Sequence, residues 1–203
     1  MKTLVIIDMQ NDFIPGGALA VPGGDEIVSL INRLQEKFDL VIATQDWHPE
    51  MHASFAESHA NKEEFESIDL EGINQILWPV HCVQNTEGAD FHPDLETAKI
   101  EAIFRKGTDP GIDSYSGFFD NAQLKSTGLA GHLREKEVEE LYFCGLAAEY
   151  CVYFSVKDAL REGFKAVLIE DATRALDADE FKKAKKDILE SGGKIISSEE
   201  IIN

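Results

Sequence analysis

Phe143-Cys144-Gly145-Leu146-Ala147-Ala148-Glu149-Tyr150-Cys151-Val152 carries an apolar strand into a glycine turn and then into a helix whose first turn holds a cysteine. The run that leads in, Glu140 to Gly145, is short, apolar and aromatic, the pattern of a buried strand. From Glu149 the period changes. Tyr150, Phe154, Ala159 and Leu160 fall on one helical stripe, with Lys157, Asp158, Arg161 and Glu162 off it, until Gly163 stops the helix. Cys151 is thereby expected at a helix N-terminus, where unpaired backbone N–H groups and the helix dipole favour a thiolate. An isolated cysteine is more often a small core residue; the partners found along the chain decide otherwise here.

Working outward, strands and helices alternate. Lys2 to Asp8 is a near-continuous β-branched run closing on an acid, the pattern of a central parallel strand covered on both faces. A Pro- and Gly-rich loop leads into a helix over 25–37 with Ile27, Leu30, Ile31 and Leu34 on its buried stripe. Leu40 to Thr44 is the next strand and ends at Gln45-Asp46-Trp47-His48-Pro49. Residues 50–98 hold no long periodic segment; an irregular insertion of this length is usually functional or carries short elements of its own. Ile100 to Lys106 is a strand of less clear alternation, followed by a helix over 122–134, the cysteine unit, a strand at Lys165–Glu170, a helix over 179–190 and a last strand at Lys194–Ser197.

This order predicts an α/β fold, a three-layer α/β/α arrangement with a central, mostly parallel sheet of about six strands, formed by residues 1–203 as a single domain. In such sheets the ligand sits beyond the carboxyl ends of the strands, near the point where strand order reverses. Asp8, Asp46 with His48, Lys106 and Cys151 each follow the carboxyl end of a different strand, so the fold gathers them on one edge.

Composition narrows the function classes. A formal charge of -19 argues against nucleic acid and anionic membrane as partners, since both need clustered Lys and Arg. The acid lies largely in stretches such as Glu57 to Glu71 and Glu135 to Glu140, read as solvated faces. Three cysteines, Cys82, Cys144 and Cys151, lack disulfide-framework spacing and suit a reducing compartment; with no signal peptide and no span-length apolar run, a cytoplasmic location is expected. Patterning alone leaves the oligomeric state open, a homo-oligomer included.

A cysteine nucleophile needs a base or a cation beside it and donors for the oxyanion formed at the attacked carbonyl. Asp8 can be the base, Lys106 the cation, and the backbone N–H groups of Cys151 and of the turn near Ala147 the donors. Asp46 and His48, two residues apart at a strand end, can share one metal, with His81 or His52 completing the set. His59, His92 and His132 have no comparable partners and are read as surface residues.

At this point the chain resembles the nicotinamidases of the isochorismatase-like cysteine hydrolase superfamily. The matching segments are DMQNDF at 8–13, ATQDWHP at 43–49, HASF at 52–55, WPVHC at 78–82, FRKG at 104–107, YSGF at 115–118 and CGLAAEYCV at 144–152. The resemblance implies conversion of nicotinamide, and also pyrazinamide, to the acid and ammonia through a cysteine thioester, in NAD salvage. It implies a triad of Asp8, Lys106 and Cys151, oxyanion donors at Ala147 and Cys151 with a cis peptide before Ala147, and a ring pocket of Phe13, Trp78 and Tyr115. It also implies one divalent transition metal on Asp46, His48 and His81, zinc foremost, with iron or manganese as alternatives. His52 matches a position that ligates in some members and stays outside the coordination in others. Ala148-Glu149 departs from the frequent Thr-Asp. Two rival readings are a related hydrolase of another carbamoyl or ureido group and a non-catalytic α/β binding module.

Overall fold

The computed structural model describes residues 1–70 and 72–203; Glu71, the end of one acidic stretch, lies outside the described residues. Six strands form one parallel sheet: β1 (Lys2–Ile7), β2 (Leu40–Asp46), β5 (Ile100–Lys106), β6 (Glu140–Gly145), β7 (Lys165–Thr173) and β8 (Lys194–Ile196), in the order β5-β2-β1-β6-β7-β8. The chain runs outward from β1 in one direction and then from β6 in the other, so strand order reverses between β1 and β6. That is where a parallel sheet opens its crevice.

Alternation along the central strands explains the two cores. On β1, Leu4 and Ile6 join the apolar cluster on one face while Val5 and Ile7 join the other, and β2 divides Val41 and Ala43 from Leu40 and Ile42 in the same way. Helices α1 (Val28–Gln35), α2 (Leu129–Glu135), α3 (Tyr153–Arg161) and α4 (Ala178–Glu190), with the short α5 (Glu199–Ile202), complete the outer layers. Along the edge strand β5, Glu101, Ile103 and Arg105 face solvent while the residues between them turn inward, with one register shift against β2 between Val41 and Ile42. Its alternation read as weak in the sequence because the apolar Ile103 sits on the wet face.

The insertion carries short elements. β3 (Ser67–Leu70) and β4 (Ile73–Ile76) make an antiparallel hairpin, and single bridges join His48 to Val83, Phe55 to Trp78 and Gln10 to Phe91.

Two helical expectations need correction. The helix over 122–134 is only α2, because the Asp120 carboxylate accepts the N–H groups of Leu124 (2.9 Å) and Lys125 (2.8 Å) and closes a turn instead. The stripe of Tyr150, Phe154, Ala159 and Leu160 is also displaced. Residues Ala148–Val152 form a π-helical turn ahead of α3, and its wider winding shifts the phase of α3. Val152, Val156 and Ala159 therefore pack into the core, Asp158 is buried with them, and Phe154 is exposed.

Gly145 shows how tightly the crevice is made. Its φ is +114°, and a Cβ there would lie 2.1 Å from the Ile7 carbonyl oxygen, so β6 can close on β1 only without a side chain. Gly145→Ala is expected to destabilise the fold by about 3 kcal/mol or to prevent folding, read as a lowered urea midpoint against the parent protein.

Candidate active site

Asp8 follows β1 and Cys151 follows β6, on either side of the reversal, while Lys106 ends β5 two strands away. The four-carbon lysine stem crosses β2 to reach them. Lys106 Nζ lies 2.9 Å from Asp8 Oδ2, 3.1 Å from Asp46 Oδ1, 3.3 Å from Cys151 Sγ and 3.1 Å from the Ser114 carbonyl oxygen. The three sequence-predicted catalytic residues are thus in one buried cluster. Lys106 itself is only 2 % exposed, not the solvated strand end its residue type would suggest in isolation.

Burial disfavours the ammonium, but Asp46, Asp8 and Cys151 outweigh it, and Lys106 stays protonated with its pKa well above the usual lysine value. Burial pushes the Asp8 carboxyl up, Lys106 pulls it down, Asp46 pushes it up again, and the net shift is upward. The Cys151 thiol is driven well above its usual range by burial first, with Lys106 acting against this and Asp8 and Asp46 adding to it. The expected helix-end thiolate is therefore corrected: the resting group is a thiol facing the Asp8 carboxylate. The dipole of one π turn does not offset burial among carboxylates.

Beside this cluster, Asp46, His48 and His81 bring one ligand atom each within 4.8 Å of one another, all buried. His48 Nδ1 pairs with the Gly107 carbonyl oxygen (3.0 Å) and His81 Nδ1 with that of Pro79 (2.7 Å). A carbonyl only accepts, so each Nδ1 carries the proton and each Nε2 presents a lone pair. Those two Nε2 atoms face Asp46 Oδ2 at 3.1 and 3.5 Å, an arrangement of acceptors alone that a cation would satisfy. Charge agrees: Asp8, Asp46 and Asp113 are buried in the same enclosure against the single ammonium of Lys106, a formal excess of two negative charges. The residues fit a divalent metal.

His52 is placed differently. It groups with His48 and Asp113, but its Nδ1 accepts the Ser54 backbone N–H (3.2 Å), which puts the ring proton on Nε2. Burial and the neighbouring His48 lower its pKa to about 4, so the ring is neutral at pH 7. His59 and His132 lie away from the cluster, on the Ala53 carbonyl oxygen and near Glu101, both half-buried rather than at the surface as expected; His92 is also half-buried.

A pocket lined mostly by aromatic and aliphatic side chains opens onto Cys151, Asp46 and His81. Phe13, Trp78 and Tyr115 are among its lining residues, and the Tyr115 hydroxyl accepts from Trp78 Nε1 (3.3 Å). The peptide before Ala147 is cis; the Ala148 N–H is taken by the Arg174 carbonyl oxygen (2.8 Å) and those of Tyr150 and Val152 by that of Ala147 (3.2 Å each). Sequence reasoning missed Thr44, whose hydroxyl donates to Asp8 Oδ1 (2.7 Å), and the wall residues Leu19, Tyr150, Leu176 and Asp113. Thr44 was open to inference, since two residues before Asp46 on one strand means the same face.

Comparison with known proteins now decides the family. The isochorismatase domain profile matches residues 2–200. The chain belongs to the isochorismatase-domain family. It is 48 % identical over 180 residues to the nicotinamidase of Escherichia coli strain K12, covering 87 % of this chain and 84 % of that one. Among solved structures, the nicotinamidase pyrazinamidase of Acinetobacter baumanii superposes with a TM-score of 0.96 at 42 % identity, covering 98 % and 97 % of the two chains. The pyrazinamidase of Pyrococcus horikoshii, solved in complex with zinc, gives 0.80 at 38 % identity over 97 % and 98 %.

Gly107 tests the metal set. With φ at +64°, a Cβ would lie 2.4 Å from His48 Cε1 and 2.9 Å from Asp46 Oδ1. Gly107→Ala is expected to lower metal affinity by about 10- to 100-fold, measured by elemental analysis after dialysis against a metal buffer, with the circular dichroism spectrum unchanged.

Proposed function

We propose that this protein hydrolyses nicotinamide to nicotinate and ammonia, with pyrazinamide as a second substrate, in NAD salvage. The observation that carries this reading is the contact of Asp8, Lys106 and Cys151 at the floor of a pocket walled by Phe13, Trp78 and Tyr115. Residues 1–203 act as one hydrolase domain, with the segment at 50–98 supplying His81 and Trp78. Three free cysteines support a reducing, cytoplasmic setting, and among the described residues no helix is long and apolar enough to cross a membrane.

The cavity holds the aromatic ring between Phe13, Trp78 and Tyr115 and presents the carboxamide carbon to Cys151 Sγ. Asp8 takes the thiol proton as sulfur attacks, and the Lys106 ammonium stabilises the thiolate as it forms. The N–H groups of Ala147 and Cys151 receive the carbonyl oxygen as it becomes an oxyanion. Asp8 returns its proton to the departing nitrogen, which leaves as ammonia and gives a thioester on Cys151. Water then loses a proton to Asp8 and its hydroxide adds to the thioester carbon; sulfur leaves and recovers that proton. Asp46, His48 and His81 would hold one divalent metal, zinc foremost with iron or manganese as alternatives that the same nitrogen and oxygen donors suit, and it would supply Lewis acidity toward the pyridine nitrogen.

Cys151→Ala should release no ammonia from nicotinamide while keeping the parent's unfolding midpoint; measurable turnover in that variant would remove the covalent mechanism. Thr44→Val probes the base. The Thr44 hydroxyl bond stabilises the charged Asp8, so its loss raises the Asp8 pKa further. The carboxylate then forms only at higher pH, and the acid limb of kcat/KM is expected to move upward by about one pH unit, with the alkaline plateau retained.

A further inference from the structure

Glu149 stands where this chain departs from the commoner family sequence, and its side chain does something the mechanism above does not use. It is 6 % exposed. Rather than pointing at Cys151, it reaches the loop between β7 and α4, where its Oε1 accepts the Asp177 backbone N–H at 2.7 Å. Its Oε2 is buried beside the same loop without a hydrogen-bond partner. One residue earlier on the same π turn, the Ala148 N–H donates to the Arg174 carbonyl oxygen at 2.8 Å. The turn that carries the cysteine therefore holds both ends of the segment 174–177.

That segment delivers Leu176 into the wall of the cavity that opens on Cys151. Leu176 is half-buried and packs against the core on the same side as Phe13 and Leu19. The far end of the segment is also tied to α4, whose N-cap Asp177 accepts the N–H groups of Asp179 (2.8 Å) and Glu180 (3.0 Å), and the stretch from Arg174 to Leu176 is left to the π turn and one surface pair. The Arg174 guanidinium lies 3.3 Å from Glu26 Oε2, but Glu26 is 67 % exposed at its side chain, and such pairs contribute little. A buried carboxylate accepting a backbone N–H is the stronger restraint, because breaking it leaves a desolvated group unpaired.

We propose that Glu149 is a positioning residue that clamps the 174–177 segment and so makes Leu176 the wall setting which aromatic rings the pocket admits. The proposal rests on the amidase reading above and deepens it. Glu149 touches neither substrate nor reacting atoms; it acts through Leu176. Its effect is on fit, so it belongs in KM and ring discrimination and not in kcat.

The test is ammonia release from nicotinamide and from a ring-methylated nicotinamide by the metal-replete parent, Glu149→Ala, Glu149→Gln, Leu176→Ala and the double alanine variant. Glu149→Ala should raise KM for nicotinamide about tenfold and reduce discrimination against the methylated ring about tenfold, with kcat within about twofold. Leu176→Ala should do the same, and the double variant no more than either alone, the signature of residues acting as one unit. Glu149→Gln keeps an oxygen acceptor and should stay near the parent. Amide exchange over 174–178 gives a readout without substrate: Asp177 protection should fall in Glu149→Ala and persist in Glu149→Gln. Additive effects, a fall in kcat at unchanged KM, or unaltered exchange would overturn the clamp. If Glu149→Ala does not fold, parent-like Glu149→Gln together with relaxed discrimination in Leu176→Ala sustains the proposal, and failure of either overturns it. A parent that turns over neither amide refutes the substrate assignment instead, and the exchange data then decide the clamp alone.

Discussion

A lysine ammonium deprived of water is the condition on which this site is built. Moving such an ion into a low-dielectric interior costs on the order of 20 kcal/mol in the idealised limit and several after relaxation, and Lys106 meets it with two carboxylates and a carbonyl oxygen, while the thiol lies against it. Each of those partners comes from a different segment, so the ammonium can be accommodated only when β1, β2, the loop at Ser114 and the π turn are all in place. The fold and the charge cluster require each other. The same arrangement sets the protons: with Lys106 held cationic and Cys151 surrounded by burial and negative charge, the mobile proton is the one between Cys151 and Asp8.

The segment at 8–13 shows how little of a motif need be chemistry. Asp8, the proposed base, lies against Lys106, and Phe13 walls the pocket. Gln10 is a backbone staple: its Oε1 accepts the Asp46 N–H at 2.8 Å, and its Nε2 donates to the carbonyl oxygens of Asp46 and Ala89 at 2.8 Å each. Asp12 does likewise for the other loop, its Oδ2 accepting the Cys82 N–H at 2.7 Å next to His81. Within six residues the chain thus supplies one reacting group, one ring contact and two ties that hold the metal-site loops to the strand ends. Loops held by buried side-chain amides and carboxylates position ligands more closely than free loops can.

The features legible in the sequence are those for which physics leaves a one-dimensional trace. β1 showed itself because a strand covered on both faces must be apolar at every position, and Asp8, Asp46, Lys106 and Cys151 because a parallel sheet puts its strand ends on one side. Period-based readings failed where the period itself changed. The π turn at Ala148–Val152 adds a residue per turn and moves Phe154 out to solvent, and no pattern of apolar residues announces that. The Asp120 turn failed for a related reason: a side chain replaced the backbone acceptor that a helix would have used. Leu176 left no trace at all, since a single leucine in a loop is ordinary until the tertiary structure brings it to Cys151.

The charges that activate the thiol also separate substrate from product. Nicotinamide is neutral, and in the proposed reaction its carboxamide lies at Cys151, on the side of the pocket nearest Asp8. Nicotinate carries a carboxylate at the same place, where Asp8 already holds negative charge; two like charges about 4 Å apart repel by about 4 kcal/mol at an effective dielectric of about 20. Lys106 cannot relieve this freely, because its ammonium is already engaged by Asp8, Asp46 and the Ser114 carbonyl oxygen. Under the proposed reaction, hydrolysis turns a neutral group beside Asp8 into a charged one, within an enclosure whose net charge a divalent ion on Asp46, His48 and His81 would offset. Substrate and product thus differ on the Asp8 side of the pocket, while the aromatic walls meet a ring that the reaction does not change.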